Sequence, residues 1–171
     1  APNFLSGANM LIISKHVALN ALLAIGMTFV IVSGGIDLSV GSIVGLCAMV
    51  AGWLVLYGID LQIGWSLQFN TLEICLIVAI VGCLIGLING LLITKLNVAP
   101  FIATLGTLYV ARGAALLFSD GRTFPNLAGN ADYGSDTFRL IGSGTLLGFP
   151  LSVWIMVVVA LAAAYLATRT P

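Results

Sequence analysis

The sequence predicts an all-α, polytopic helical membrane protein with about five transmembrane helices and a glycine-rich break near residues 34–42. The first observation is composition: 60% of the 171 residues are hydrophobic and 7% are charged, whereas a soluble domain carries about 25% charged residues. The second is the spacing of those charges, which leaves long charge-free segments. Because so few charges cannot cover the apolar surface of a water-soluble globule, lipid is the expected solvent for much of the chain.

The charge-free segments locate the membrane spans. Four stretches of 21 to 29 residues contain no Asp, Glu, Lys or Arg. About 20 helical residues, rising about 1.5 Å each, cover a hydrocarbon core of roughly 30 Å, so each stretch is long enough for one span. These four predicted spans are approximately residues 17–33, 38–58, 74–94 and 151–168. A fifth, 101–118, contains Arg112, which is either a functional charge or a residue whose head group reaches toward a helix end.

Two polar stretches separate the spans and are predicted to be periplasmic loops, at residues 59–73 and 119–150. Trp53, Tyr57 and Trp65 flank or lie in the first, as interfacial aromatics do. The second holds five charges and is long for a connector, which is typical of loops that have a function of their own or contact a partner. The distribution of the few Lys and Arg residues permits a periplasmic location for these loops but does not establish it. We expect a single membrane domain, 1–171, cut from a longer protein.

Small residues recur at helical spacing in two spans. Gly82, Gly86 and Gly90 form two overlapping GxxxG patterns, and Gly41 and Gly45 form another. Such residues let helix backbones approach closely, so helix packing is the favoured interpretation, and a glycine-lined passage is the alternative. Asn89, one turn from Gly86, could bond either to a neighbouring helix or to a hydroxylated solute.

The segment from Ser33 to Ser42 separates two apolar runs without a long polar loop. Gly34 and Gly35 favour a helix break, and Asp37 could cap the next helix by accepting hydrogen bonds from its first-turn N–H groups. Two interpretations stay open. The segment is either a functional break that lines a cavity, or a tight turn between helices in which Asp37 is a plain N-cap.

Several function classes are disfavoured. There is no GxxxxGK[ST] phosphate-binding loop and no HExxH motif, and the single His cannot supply a Ser–His pair inside the membrane. A zero net charge disfavours nucleic-acid binding. Thr104, Thr107 and Arg112 do not share one helical face, so their spacing alone does not establish a substrate-binding face, which stays a hypothesis. Movement of an uncharged solute is favoured over catalysis.

The sequence resembles the permease subunits of bacterial ATP-binding cassette importers for monosaccharides of the ribose, xylose, arabinose and galactose type. The resemblance is carried, in order along the chain, by AIGMTFVI at 24–31, GGIDLSVGS at 34–42, GLING at 86–90, FIATLGT at 101–107, Ala111-Arg112-Gly113, GSG at 142–144 and GFP at 148–150. It implies a multi-pass protein of the bacterial cytoplasmic (inner) membrane. It also implies that this chain is a fragment of a longer permease and forms the pathway for a monosaccharide or related polyol.

The resemblance also implies partners. ATP would be bound by a separate cytoplasmic ATP-binding subunit, with no cofactor or metal in this chain. A periplasmic sugar-binding protein would dock on the outer face, and a second permease copy or homologue would complete the pathway within membrane lipid. The candidate translocation-path or gating residues are Asp37, Ser39, Asn89, Thr104 and Arg112. A secondary transporter or channel-like protein for a small neutral solute, and a non-transporting membrane scaffold, are the alternatives.

Overall fold

The computed structural model describes residues 6–60, 66–124 and 127–169. These residues form an all-α architecture, as predicted, with six α-helices: α1 Gly7–Val32, α2 Val40–Leu56, α3 Thr71–Thr94, α4 Pro100–Ser119, α5 Phe138–Ser143 and α6 Leu151–Arg169. The other regular elements are a short 3₁₀ helix, Ala131–Tyr133, and two antiparallel two-stranded ribbons. In one ribbon β1 (Ile59–Asp60) pairs with β2 (Ser66–Leu67), and in the other β3 (Thr145–Leu146) pairs with β4 (Phe149–Pro150).

Four of the helices found in the described ranges are long and apolar enough to cross a membrane: α1, α3, α4 and α6. The remaining predicted span, 38–58, corresponds to α2, an apolar helix of only 17 residues. Seventeen residues rise about 26 Å, slightly less than the roughly 30 Å hydrocarbon core. Large apolar side chains such as Leu117 and Val158 are well exposed on the long helices, as expected for a multi-pass membrane protein.

Local capping explains where the helices begin. Helix α1 starts at Gly7, ten residues before the predicted span, because the Ser6 hydroxyl accepts a hydrogen bond from the Asn9 N–H at 3.4 Å. Helix α3 starts at Thr71 because Asn70 and Glu73 form a capping box, with bonds of 3.0 and 2.9 Å. Three residues of the predicted loop 59–73 are therefore helical. Trp65, predicted to be interfacial, lies outside the described residues.

The chain divides into two compact units, residues 1–33 with 139–171 (unit 1) and residues 34–138 (unit 2). In unit 1, α1 packs against α6, and β4 contacts both helices. The indole N–H of Trp154 donates to the carbonyl of Leu146 at 3.1 Å, which ties α6 to the β3–β4 ribbon. Whether the chain acts as the single membrane domain that the sequence predicts stays a prediction.

Unit 2 is a three-helix assembly in which α2 packs against both α3 and α4. Its apolar core consists of Leu46, Val50, Ala51, Leu54, Val55, Ile74 and Ala111. Aromatic rings gather where α2 and α4 end: Trp53 lies 5.0 Å from Tyr57 and 6.3 Å from Phe118 between ring centroids, and Tyr57 lies 6.4 Å from Phe124. Aromatic side chains concentrate at membrane–water interfaces, so this cluster marks one end of the unit.

The same end carries the connecting segments. The Thr71 N–H donates to the carbonyl of Gly134 at 3.3 Å, and the Thr71 and Thr137 hydroxyls lie 2.6 Å apart. These bonds tie residues 134–137 to the first turn of α3. We call this the loop end of unit 2, and the N-termini of α2 and α4 form the opposite end.

Candidate functional site

The glycine-rich segment breaks the helical backbone where the sequence predicts. Helix α1 ends at Val32, and Gly34 adopts φ +78°, a conformation that glycine reaches at little cost. Helix α2 resumes at Val40, with Ser39 as its N-cap residue. Residues 34–39 are therefore non-helical backbone close to an apolar helix, and their polar groups require partners.

Asp37 supplies one of those partners. Its Oδ1 atom accepts hydrogen bonds from the Ser39 N–H at 2.7 Å and from the Ser39 hydroxyl at 2.6 Å. The expectation that Asp37 caps α2 is wrong: Ser39 occupies the cap position, and no side chain caps the helix from there. Asp37 lies two residues too early, so its carboxylate closes a local turn onto Ser39.

Asn89 of α3 extends this contact to two further helices. The side chain is 5% exposed, and its Nδ2 atom donates to the Ser39 Oγ at 3.1 Å. On its other side, the Thr107 hydroxyl of α4 donates to the Asn89 Oδ1 at 2.5 Å. Of the two partners expected for Asn89, the structure shows the first, a neighbouring helix.

Together Asp37, Ser39, Asn89 and Thr107 form what we call the polar network. Its hydrogen bonds run in one direction, from Thr107 through Asn89 and Ser39 to the Asp37 carboxylate, and each donor meets an acceptor. Ser39 is completely buried. The polar network therefore joins the N-terminus of α2 to α3 and α4, at the end of unit 2 opposite the loop end.

Thr104 holds the broken segment next to the polar network. It is 2% exposed, and its hydroxyl lies 2.8 Å from the carbonyl of Pro100 and 3.2 Å from that of Ile36. The hydroxyl has one hydrogen and can donate to only one of these carbonyls at a time, but the contact with Ile36 places α4 against the broken segment. Thr104 and Thr107, three residues apart, thus share the inner face of α4.

Arg112 lies apart from these residues. It follows Thr107 by five positions, which turns it about 140° around α4. Its side chain is exposed and makes no hydrogen bond or ion pair with the part of the chain that the structure describes. The structure therefore brings together four of the five candidates, Asp37, Ser39, Asn89 and Thr104, and separates the fifth.

Thr107 was not among the candidates, although it completes the polar network. The signal in the sequence is its spacing of three from Thr104, which places both hydroxyls on one helical face. A second signal is Asn89, an amide within an apolar span, which requires a polar partner from another helix. Only the packing of α3 against α4 identifies that partner.

The glycines predicted to pack helices show a mixed pattern. A Cβ atom added at Gly82 would lie 3.7 Å from the Cys47 sulfur, an ordinary packing distance between α3 and α2. Added at Gly41, Gly45, Gly86 or Gly90, it would meet no atom within 4 Å. For those four positions, helix packing stays a prediction about contacts with other polypeptide. Gly52 is a packing glycine that the GxxxG spacing does not identify. The Phe124 ring lies so close to its backbone that an added Cβ would overlap the ring.

An apolar groove of about 440 Å³ runs along α3 and α4 beside the polar network. Its walls include Ile85, Ile88 and Ile102, and Thr107 contributes the one hydroxyl among the residues that line it. Such a lining offers a polyol almost no hydrogen-bond partners and suits an acyl chain or an apolar helix. The polar network and the exposed face of α4 are therefore the better places to look for a solute path.

Comparisons with known proteins agree on one class of protein. A family model described as "Branched-chain amino acid transport system / permease component" matches residues 9–171. The ribose import permease proteins of Haemophilus influenzae and Bacillus subtilis are 38% and 40% identical to the chain, over 99% of its length and 49% and 48% of theirs. The autoinducer 2 import system permease protein of Photorhabdus laumondii is 35% identical over 88% of the chain and 40% of its own length. The chain spans about half the length of these curated relatives, and no solved structure matches it.

Proposed function

The chain belongs to the family of branched-chain amino acid transport system permease components, and on that premise we propose that it forms part of the membrane pathway of a sugar importer. The solute would be a monosaccharide or related polyol, and ATP hydrolysis on a separate subunit would energise its movement. One observation carries the proposal: relatives named as ribose import permeases are similar to this chain along 99% of its length.

The chemistry of the described residues favours a neutral solute over an amino acid. A fixed positive and a fixed negative group close together would suit a zwitterion. Here Asp37 already accepts two hydrogen bonds from Ser39, and Arg112 lies on a different face of α4 from the polar network. A polyol needs only hydroxyl partners, which uncharged and singly charged side chains supply.

The partners follow from the same proposal. A cytoplasmic ATP-binding subunit would hydrolyse ATP, a second permease copy or homologue would complete the pathway, and a periplasmic sugar-binding protein would deliver the solute. The assembly would lie in the bacterial inner membrane, with the loops predicted at residues 59–73 and 119–150 facing the periplasm.

We assign different roles to the candidate residues. Asp37, Ser39, Asn89 and Thr104 are buried or half-buried and bonded within unit 2, so they act as gating residues that hold three helices in one arrangement. Alternating access requires that arrangement to change, because a pathway open to both sides at once would leak. Arg112, which is exposed, lines the path.

Uptake in bacterial cells that carry the protein and its ATPase tests the proposal. Labelled ribose should accumulate and labelled leucine should not; leucine uptake without ribose uptake would contradict the solute assignment. Alanine at each candidate position should lower ribose uptake while membrane assembly is retained. Thr94→Ala is the matched control for Thr104→Ala, because the Thr94 hydroxyl also bonds a carbonyl of its own helix, at 2.7 Å, but is exposed.

Two outcomes would favour the alternatives. Uptake that persists after ATP depletion and follows an ion gradient would indicate a secondary transporter or channel-like protein. Absence of uptake for every solute, with no ATPase subunit co-purifying, would indicate a membrane scaffold.

A further inference from the structure

Tyr109 and Arg112 are two polar side chains on one face of α4. Residues three apart in a helix are surface neighbours. Tyr109 is 68% exposed and Arg112 is also exposed. Neither makes a hydrogen bond or ion pair with any residue in the described ranges, so the phenol hydroxyl and the guanidinium group both lack partners there.

Both groups lie deep in a helix that is long enough to cross the membrane. Tyr109 is nine residues from Pro100 and ten from Ser119, which are about 14 Å and 15 Å along the helix axis. Arg112 is about 10 Å from the Ser119 end. Because the Cα–Cβ bonds of a helix tilt toward its N-terminus, the Arg112 side chain starts toward the depth of Tyr109 and away from the nearer end.

A comparison with α6 shows how unusual this placement is. Arg169 is the last residue of α6, and its guanidinium lies 5.6 Å from the centroid of the Tyr165 ring. Arg169 thus has both an aromatic partner and a position at a helix end, where water is accessible. Arg112 has neither. In hydrocarbon, an unpaired guanidinium and an unbonded hydroxyl are both costly, so this face of α4 requires water or polar partners.

We infer that the Tyr109–Arg112 face of α4 lines a water-filled passage and contacts the solute within it. This inference rests on the proposed sugar-import function. A guanidinium carries five N–H donors and suits the hydroxyl oxygens of a polyol. One helical turn away, the Tyr109 ring offers an apolar face to the C–H groups of the sugar and a hydroxyl at its edge. The pair therefore matches a neutral polyol ring at the middle of the membrane.

Cysteine accessibility in the assembled transporter tests this inference. The native Cys47, Cys75 and Cys83 are first replaced by alanine in a version that retains uptake. Tyr109→Cys is then compared with Val110→Cys. Val110 lies at the same depth, is 72% exposed, and is turned about 100° from Tyr109. The probe is a cationic methanethiosulfonate that does not cross lipid.

We expect labelling at position 109 at least tenfold faster than at position 110, and slower labelling at 109 when a transported sugar is present. Equal rates at both positions, or no labelling at 109, would overturn the water-lined face; the second result would point to a partner carboxylate or helix covering it. Selective labelling that a transported sugar does not slow would overturn the solute contact.

Arg112→Gln distinguishes a contact between Arg112 and the solute from a structural role of Arg112. In the Tyr109→Cys background it should abolish protection by sugar without slowing the labelling measured in the absence of sugar, because it also removes a positive charge that repels the cationic probe. Retained protection would remove Arg112 from the contact. If no sugar is transported at all, the proposed function fails, while the rates at 109 and 110 still decide whether the face is water-lined.

Discussion

The hydrogen bond between Thr107 and Asn89 permits a direct energetic test of the polar network. Asn89→Ala removes two bonds between helices, to Ser39 and to Thr107, whereas Thr107→Val removes only the second and keeps the shape of the side chain. The two substitutions therefore share one bond. A double-mutant cycle isolates that shared term.

The expected magnitudes follow from the bond count. Hydrogen bonds between membrane helices contribute about 0.6 kcal/mol on average and about 1.7 kcal/mol at most. Asn89→Ala should then lower the free energy of unfolding by about 1.2 kcal/mol for its two bonds, and Thr107→Val by about 0.6 kcal/mol. Because the bond is lost only once in the double variant, the coupling energy should be about 0.6 kcal/mol.

Equilibrium unfolding in mixed micelles or bicelles measures these values. Thr94→Val is the matched control, because its hydroxyl bonds the Gly90 carbonyl of its own helix and not Asn89. Its effect should add to that of Asn89→Ala. A coupling energy for Asn89 and Thr107 within about 0.3 kcal/mol of zero would refute the bond as an energetic link between α3 and α4.

Two further substitutions test the packing at the loop end of unit 2. Gly52→Ala should lower the free energy of unfolding by about 1–3 kcal/mol, because its Cβ would overlap the Phe124 ring. Gly45→Ala is the control and should be near neutral, because its Cβ would meet no atom within 4 Å. Equal effects of the two substitutions in thermal unfolding would contradict the contact between Gly52 and Phe124. Asn70→Ala should cost about 1 kcal/mol by removing the capping box with Glu73, and should speed amide hydrogen exchange in the first turn of α3; unchanged exchange there would argue against the cap.

The fold was largely predictable because hydropathy and charge spacing report on the same constraint, the thickness of the hydrocarbon. That constraint does not mark where a helix begins outside the lipid. Helix α1 therefore includes Lys15 and starts at Gly7, where the Ser6 cap is. Helix α3 begins before Glu73, which acts within the capping box rather than ending the loop.

The candidate site was predictable in part. Asp37, Ser39, Asn89 and Thr104 were identified along the chain, and the structure brings them together across α2, α3 and α4. Their mutual bonds were not predictable, because Ser39 and Asn89 are 50 residues apart and meet only through helix packing. The capping role expected for Asp37 failed for a local reason, since a carboxylate two residues before the N-cap bonds the cap residue itself.

The role that we infer for Tyr109 does not follow from the sequence for a similar reason. A tyrosine in an apolar helix is usually a packing residue, and hydropathy alone does not distinguish a packing tyrosine from one that lines a passage. Its exposure at mid-helix, beside an arginine that also lacks a partner in the described chain, separates it from the core.

ATP-driven uptake of labelled ribose in proteoliposomes tests the central claim most directly. The vesicles contain the purified protein assembled with its ATPase subunit and supplied with the sugar-binding protein. We expect accumulation that requires ATP on the ATPase side and is unaffected when ion gradients are collapsed. Accumulation that proceeds without ATP and stops when an ion gradient is removed would contradict the claim that this chain forms part of the membrane pathway of an ATP-energised sugar importer.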